Sequence, residues 1–232
     1  MDKYDTLMKN LKEGIPFGLA RFNDGEMMGI GTPGCVVARG DQVVPPDLSD
    51  ALREALEYEQ ENYWKGLPCS LCFPQHSALA KNYVNEEYDY LTHAVVFTNR
   101  HWMKFLKDFS QSVIGRTMYW VGGEDQDTSK LPHHGFSYEI DAQFIVPSQD
   151  GWSAYADVKD LYEEFESGAI VLVACGPLAR VLTQQWFKNR PDLTIIDIGS
   201  TFDPFTRNVW HNCHKGWEET GFNLTAKCQE CN

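Results

Sequence analysis

The chain has 232 residues, of which 43% are hydrophobic and 23% are charged, and its formal net charge is −13. This length suits one large α/β domain or two small ones, with enough residues to bury a substantial core. The acidic balance argues against nucleic acid as a partner, because a phosphate backbone requires a basic surface.

No apolar run approaches the ~20 residues that span a bilayer, so no transmembrane segment is predicted. The N-terminus also lacks the charged and then apolar pattern of a signal peptide. We therefore expect a cytoplasmic protein. Its seven cysteines are then expected to be thiols or metal ligands rather than disulfides.

A short helix is predicted over residues 2–13, ending at Gly14, and a buried strand over 16–22. Asn23-Asp24-Gly25-Glu26 follows and predicts a turn in which Gly25 takes a positive φ. Such a bend would aim Asp24 and Glu26 at one point. Two carboxylates at a strand end suit Mg²⁺ or Mn²⁺, and Arg21 and Asn23 beside them could contact an anionic ligand. The alternative is a solvated surface turn.

The middle of the chain alternates apolar runs with amphipathic ones. Strands are predicted over 67–73, 94–97, 117–121 and 142–146. Helices are predicted over 49–63, 102–109 and 152–166, with one or two more within 76–92. The first of these strands contains Cys69 and Cys72, whose spacing fits a redox pair, half a zinc site or two small strand residues.

Polar residues follow several of these strands, where open α/β sheets bind ligands. Arg100 is a candidate for phosphate contacts, because its planar fork matches phosphate oxygens; otherwise it only begins the next helix. The loop at 122–127 offers Asp125 and Asp127, and His133 and His134 come after it. These four are candidate acid or base groups, or solvated loop residues.

Residues 169–174 form a continuous apolar, β-branched run that predicts a parallel strand. Gly176-Pro177 then leads into a helix over 178–187, whose first N–H groups offer an anion site. The next strand, 194–199, places Asp197 near the same crevice. The whole pattern predicts an α/β fold, with a mostly parallel, Rossmann-like sheet flanked by helices.

The C-terminal tail differs from the rest of the chain. We divide the chain into a domain at 1–205 and a Cys/His-rich tail at 206–232. Cys228-x-x-Cys231 has zinc-knuckle spacing, and Cys213 with His211 or His214 would complete a ligand set. A structural zinc would explain how so short a tail keeps its shape. Otherwise the cysteines are incidental, or the C-terminus is loose.

The stretch Arg-Phe-Asn-Asp-Gly-Glu at 21–26 resembles the Arg-Phe-Gly-Asp-Gly-Glu signature of the GT-D-type glycosyltransferases. Thr98-Asn99-Arg100, the 145–155 segment, and the strand–Gly-Pro–helix unit leading to 195–199 are similar to the same family in the same order. The resemblance covers roughly residues 15–205. It implies a nucleotide-sugar donor and a metal ion held by the Asp-x-Glu pair.

The leading hypothesis is thus a glycosyltransferase that moves a sugar, most plausibly from a UDP-sugar, to a hydroxyl of a glycan or glycoprotein. Asp24 and Glu26 would hold Mn²⁺ or Mg²⁺, and Arg21 and Arg100 would assist at the phosphates. Two alternatives stay open. One is a metal-dependent phosphohydrolase or nucleotidyl-transfer enzyme, and the other is a non-enzymatic module with a zinc-stabilised tail.

Overall fold

The computed structural model describes residues 2–37, 42–211 and 214, apart from the side chains of Val37, Gln42 and Arg100. The strands are β1 (Gly18–Arg21), β2 (Val36–Val37), β3 (Gln42–Val43), β4 (Tyr63–Leu67), β5 (Leu91–His93), β6 (Met118–Gly123), β7 (Ala142–Val146), β8 (Ile170–Ala174) and β9 (Thr194–Asp197).

The helices are α1 (Lys3–Glu13), α2 (Asp24–Gly31), α3 (Pro46–Glu57), α4 (Pro74–Ala80), α5 (Trp102–Ser112), α6 (Tyr155–Val158), α7 (Leu178–Asn189) and α8 (Asp203–Thr206). Short 3-10 helices occupy Asn99–His101, Thr128–His134, Gly151–Ala154 and Leu161–Glu163. Within the described ranges, no helix is long and apolar enough to cross a membrane.

Seven strands form one sheet in the order β5-β4-β1-β9-β8-β6-β7, and every pairing in it is parallel. The remaining two strands, β2 and β3, form a separate antiparallel pair. The predicted α/β class with a parallel sheet is therefore confirmed. Because all the strands run the same way, their carboxyl ends lie along one edge.

Helices cover both faces of the sheet, and each face has its own hydrophobic core. Alternate residues of β8 serve the two cores: Val171 and Val173 pack with α3 and α7 on one side, whereas Ile170 and Leu172 pack with α1 and α5 on the other. This two-sided burial explains why β8 is apolar at every position, as parallel strands usually are.

Two predicted strands are misplaced. The strand predicted over 67–73 is wrong, because the strand in this region is β4, which ends at Leu67. The helix before it, predicted to reach residue 63, already ends at Glu57. Pro68 explains the difference, because it has no N–H for a strand ladder. Cys69 and Cys72 instead lie in the turn before α4. Likewise, β5 precedes the predicted strand at 94–97, whose residues form turns.

The helix predicted over 152–166 is also wrong, because the segment is broken into two 3-10 turns and the four-residue α6. The aromatic spacing reflects burial rather than a continuous helix. Phe165 packs into the core, while the rings of Trp152 and Tyr155 stack on each other with centroids 4.5 Å apart.

Candidate active site

A cleft of about 620 Å³ opens at the carboxyl edge of the sheet. The loops and helix starts after β1, β6, β7, β8 and β9 line it. They contribute Asn23, Asp24, Glu26, Asp125, Ser148, Cys175, Gly176, Arg180, Ser200, Asp203, Arg207 and His211, among others. The sequence predictions for Asp24, Glu26, Asn23, Asp125 and Gly176 thus converge on one cavity.

Asp24 is the first residue of α2, which follows β1 after Asn23. The predicted turn at 23–26 is therefore wrong, and Gly25 is not among the glycines with positive φ. Asp24 is exposed and lines the cleft. Among the described residues, no group donates a hydrogen bond to its carboxylate or forms an ion pair with it. Its charge also complements the helix N-terminus.

Glu26 points elsewhere, because residues two apart in a helix do not face each other. Its Oε2 accepts a hydrogen bond from the backbone N–H of Asn23 at 2.9 Å, as in a capping box. Its Oε1 lies 3.2 Å from Nη2 of Arg180. Glu26 is 8% exposed and already has protein partners. The two acids of the motif are thus not equivalent.

Arg180, on α7, connects Glu26 to Asp197 at the end of the central strand β9. Its Nε donates to the carbonyl of Arg21 at 2.7 Å and lies 3.1 Å from Oδ2 of Asp197. Burial lowers the pKa of Arg180, but Asp197 and Glu26 outweigh burial and raise it overall. The guanidinium therefore stays charged and joins the ends of β1 and β9 to α2.

Asp197 and Arg21, both predicted to contact the ligand, belong to this buried network. Asp197 is fully buried, accepts from the backbone N–H of Arg21 at 3.0 Å and lies 3.8 Å from Nη2 of Arg21. Arg21 also donates to the carbonyl of Ala94 at 3.3 Å. Neither residue lines the cleft, so their positions are those of supporting residues beneath it.

The cleft also contains the start of α7. Gly176 has a φ of +62°, a left-handed conformation that glycine adopts without strain, and Pro177 precedes the first helical residue. The N-terminus of this 12-residue helix thus faces the cavity, as the sequence predicted, and favours an anion. Burial raises the pKa of the neighbouring Cys175 thiol, which disfavours its thiolate form.

The opposite wall is built around Arg207. This side chain lies 2.6 Å from Asp125 and 3.5 Å from Asp203. Asp125 also accepts a hydrogen bond from the Ser148 hydroxyl at 2.8 Å. Asp203 contacts Nε2 of His211 at 2.7 Å; burial raises the pKa of Asp203, and the bond to His211 opposes that rise.

Acidic groups outnumber basic ones in the cleft. Four carboxylates line it, from Asp24, Glu26, Asp125 and Asp203, against two guanidinium groups, from Arg180 and Arg207. The described residues contain no group of three or more His, Cys, Asp or Glu side chains placed to hold a metal ion. Of the four carboxylates, that of Asp24 has no protein partner among the described residues, so it is the one available to hold a metal ion.

The remaining predicted residues fall into three groups: outside the cleft, in its lining, and outside the described part of the chain. His134 is exposed at the end of a 3-10 helix, with its ring 5.2 Å from that of Phe205, and it does not line the cleft. The side chain of Arg100 lies outside the described residues, as do Cys213, Cys228 and Cys231. His211, predicted as a zinc ligand, lines the cleft beside Asp203.

Sequence reasoning missed Arg180, Arg207 and Asp203. For Arg180 a signal was present, since an arginine stands within the apolar first turn of the helix that follows Gly176-Pro177. A cation at that place predicts a buried acid partner. Arg207 and Asp203 gave no comparable signal, because they fall in the short segment between the last strand and the tail.

Solved structures share this architecture. The structure of the domain of unknown function 1792, described as having a distinct glycosyltransferase fold, matches with a TM-score of 0.68 and 16% sequence identity, covering 93% of this chain and 86% of that one. A glycosyltransferase of the same domain type from Streptococcus sanguinis matches with a TM-score of 0.68 and 18% identity, covering 95% and 90%. Neither protein-family models nor curated proteins give a match to the sequence.

At sequence identities of 16% and 18%, the structural similarity to these proteins establishes the fold. The chain is an α/β protein with the distinct glycosyltransferase fold called GT-D, so the fold implied by the resemblance is confirmed.

Proposed function

We propose that the protein is a glycosyltransferase that uses a nucleotide-sugar donor, most plausibly a UDP-sugar, and transfers the sugar to a hydroxyl of a glycan or glycoprotein. The observation that carries the proposal is the exposed carboxylate of Asp24. It has no protein partner among the described residues, and it lies in the cleft of a fold shared with glycosyltransferases.

Charge explains why a divalent ion belongs in this proposal. The cleft lining is negative, and a diphosphate alone would be repelled by it. Mn²⁺ or Mg²⁺, held by Asp24 together with the diphosphate oxygens, would act as a Lewis acid that neutralises charge on the leaving nucleotide. Glu26 would support this site through α2 and Arg180 rather than as an equal ligand.

The chain's own groups have separate roles in this proposal. The first N–H groups of α7, next to Gly176, bind a phosphate oxygen. Arg180, held by Asp197 and Glu26, fixes the relative positions of α2 and α7. Asp125, held by Arg207 and Ser148, is the candidate base for the acceptor hydroxyl in an inverting reaction. His134, outside the cleft, is a weaker candidate.

Thermal unfolding with nucleoside diphosphates tests the proposal. A ligand that binds the folded form raises the melting temperature by mass action, so UDP should raise it only when Mn²⁺ or Mg²⁺ is present. Asp24→Asn should abolish that shift and lower sugar transfer by about 100-fold or more, a loss typical of removing a key electrostatic group. Its own melting temperature should stay near that of the native protein.

Asp157→Asn is the matched control, because Asp157 is also an exposed aspartate in the first turn of a helix. It should keep both the UDP shift and the activity. A UDP shift that needs no metal ion, or that survives Asp24→Asn, would contradict the proposal. Phosphoester hydrolysis without sugar transfer would favour the phosphohydrolase alternative. If both acid substitutions, Asp24→Asn and Glu26→Gln, left function unchanged, the interaction-module alternative would be favoured.

A further inference from the structure

A second cavity, of about 270 Å³, lies away from the cleft on one face of the sheet. It is a groove between α3, the C-terminal half of α7 and the segment that follows α6, and we call it the α3–α7 groove. None of its lining residues lines the cleft. Any ligand of this groove would therefore be bound by a separate set of side chains.

Gln184 is the residue in the groove that most needs a partner. Its side chain is on α7, lines the groove and is only 2% exposed. Nevertheless, its amide Nε2 has no hydrogen-bond partner in the described part of the chain. A buried amide donor without a partner is destabilising, because it has lost its hydrogen bonds to water and gained none from the protein. A polar ligand in the groove would remove that cost.

The wall beside Gln184 is held in place. The hydroxyl of Tyr155 donates to Oε1 of Gln185 at 3.0 Å, and the ring of Tyr155 stacks on Trp152. The indole N–H of Trp186 donates to the carbonyl of Lys159 at 2.7 Å, which joins this segment to α7. The groove is therefore preformed, as ligand sites usually are.

The charges of the lining cancel. Lys159 and Asp160 form an ion pair at 2.7 Å, and the other two charged residues, Glu54 and Lys188, are of opposite sign. The groove therefore gives no net field that would select an anion or a cation. The rest of its lining consists of amides and tyrosines, which offer donors, acceptors and an apolar ring face.

We propose that the α3–α7 groove binds one ring of a neutral saccharide. Sugar hydroxyls both donate and accept hydrogen bonds, as the amides of Gln184 and Gln185 do, and the C–H face of a sugar ring matches the half-buried rings of Tyr155 and Tyr162. The volume lies just below the range of about 300–1,000 Å³ for small-molecule pockets, which suits a single ring. This inference depends on the groove's own lining and not on the function proposed for the cleft.

Saturation-transfer NMR with maltose, cellobiose, lactose and chitobiose tests the inference. UDP and Mn²⁺ are added in a parallel sample to occupy the cleft. At least one disaccharide should bind in both samples. Gln184→Leu should weaken that binding by about tenfold or more, the effect of losing a hydrogen bond and leaving a sugar hydroxyl unpaired. Gln111→Leu, the same change at an exposed position of α5 on the other face, should bind as the native protein does.

Should Gln184→Leu fail to fold, Tyr162→Ala removes a half-buried ring and should weaken binding in the same way. Three outcomes would overturn the inference: none of the disaccharides binds, the variants bind as tightly as the native protein, or UDP with Mn²⁺ displaces the sugar. If UDP fails to bind anywhere while the sugar still binds the groove, the proposed function fails and the present inference stands.

Discussion

Asp197 shows how a single buried charge can organise the end of a sheet. Its carboxylate contacts Arg180 at 3.1 Å and the backbone N–H groups of Arg21 and Gly199 at 3.0 and 3.1 Å. These groups belong to β1, α7 and the loop after β9. Removing one partner of a buried pair is far more harmful than removing a surface pair, because the remaining charge stays buried.

We therefore expect Asp197→Asn to lower the free energy of unfolding by about 3–5 kcal/mol, measured by urea denaturation. Asp192→Asn is the matched control, since Asp192 pairs with Arg190 at 2.8 Å but is 39% exposed. A surface pair of that kind contributes about 1 kcal/mol or less. Equal losses in the two variants would show that the Asp197 network does not act as a buried unit.

Lys65 gives a prediction that depends on pH. Its side chain is fully buried in β4, where Nζ donates to the carbonyl of Leu56 at 3.0 Å. Burial lowers the pKa of Lys65 to about 8, whereas an unfolded lysine has a pKa of about 10.4. Above pH 8 the unfolded chain therefore binds more protons at this site than the folded chain, and stability rises with pH.

Between pH 8 and 9.5 Lys65 should thus raise the free energy of unfolding by up to about 1.4 kcal/mol per pH unit. Above that range the raised pKa values of buried Tyr63 and partly buried Tyr88 act in the opposite direction, as unfolded tyrosines ionise near pH 10. In urea titrations Lys65→Met should remove this gain, and Lys12→Met, at an exposed position of α1, should keep it. If the two variants gave the same pH slope, the lowered pKa would be wrong.

At the scale of an element, α2 matters most because it carries Asp24. The helix packs closely on the residue after β3: a Cβ on Gly29 would lie 2.9 Å from both methyl groups of Val44. Gly29 is therefore required by packing rather than by its backbone conformation. Only the tertiary structure reveals this, since glycine in a helix is otherwise unfavourable.

Gly29→Ala should lower the free energy of unfolding by about 1–3 kcal/mol, as overpacking does. The same change in a Val44→Ala background should cost less, because the methyl groups that it meets are gone. Thermal or urea unfolding of the four proteins gives the coupling between the two sites. Strictly additive effects would mean that α2 and Val44 are not in the close contact described here.

Elements also show which parts of the fold could be predicted from sequence. The strand at β8 and the helix at α7 were predicted well, because a continuous β-branched run and a Gly-Pro turn are strong local signals. The strands near 67–73 and 94–97 were misplaced. Ala94, Val96 and Phe97 are buried in turns, and hydrophobicity alone reports burial rather than backbone conformation.

At the scale of the whole molecule, the tail provides a separate prediction. His211 lies beside Asp203, and a carboxylate that holds one ring nitrogen is the usual arrangement behind a zinc-bound histidine. Metal analysis of the purified protein should find about one zinc ion per chain, and Cys228→Ser or Cys231→Ser should reduce it. Zinc-free protein that unfolds at the same temperature as protein supplied with zinc would rule out the structural site.

The α/β class, the acidic character of the chain and the place of Asp24 after the first strand can all be predicted from the sequence, because periodicity, composition and a short motif are local properties. Which carboxylates are available to a ligand is known only from the folded arrangement. Asp24 and Glu26 look alike in the sequence, but of these two acids Glu26 is the one that pairs with Arg180, which lies far along the chain. Such a pairing depends on where the parallel sheet brings distant helix starts together, and no local pattern encodes it.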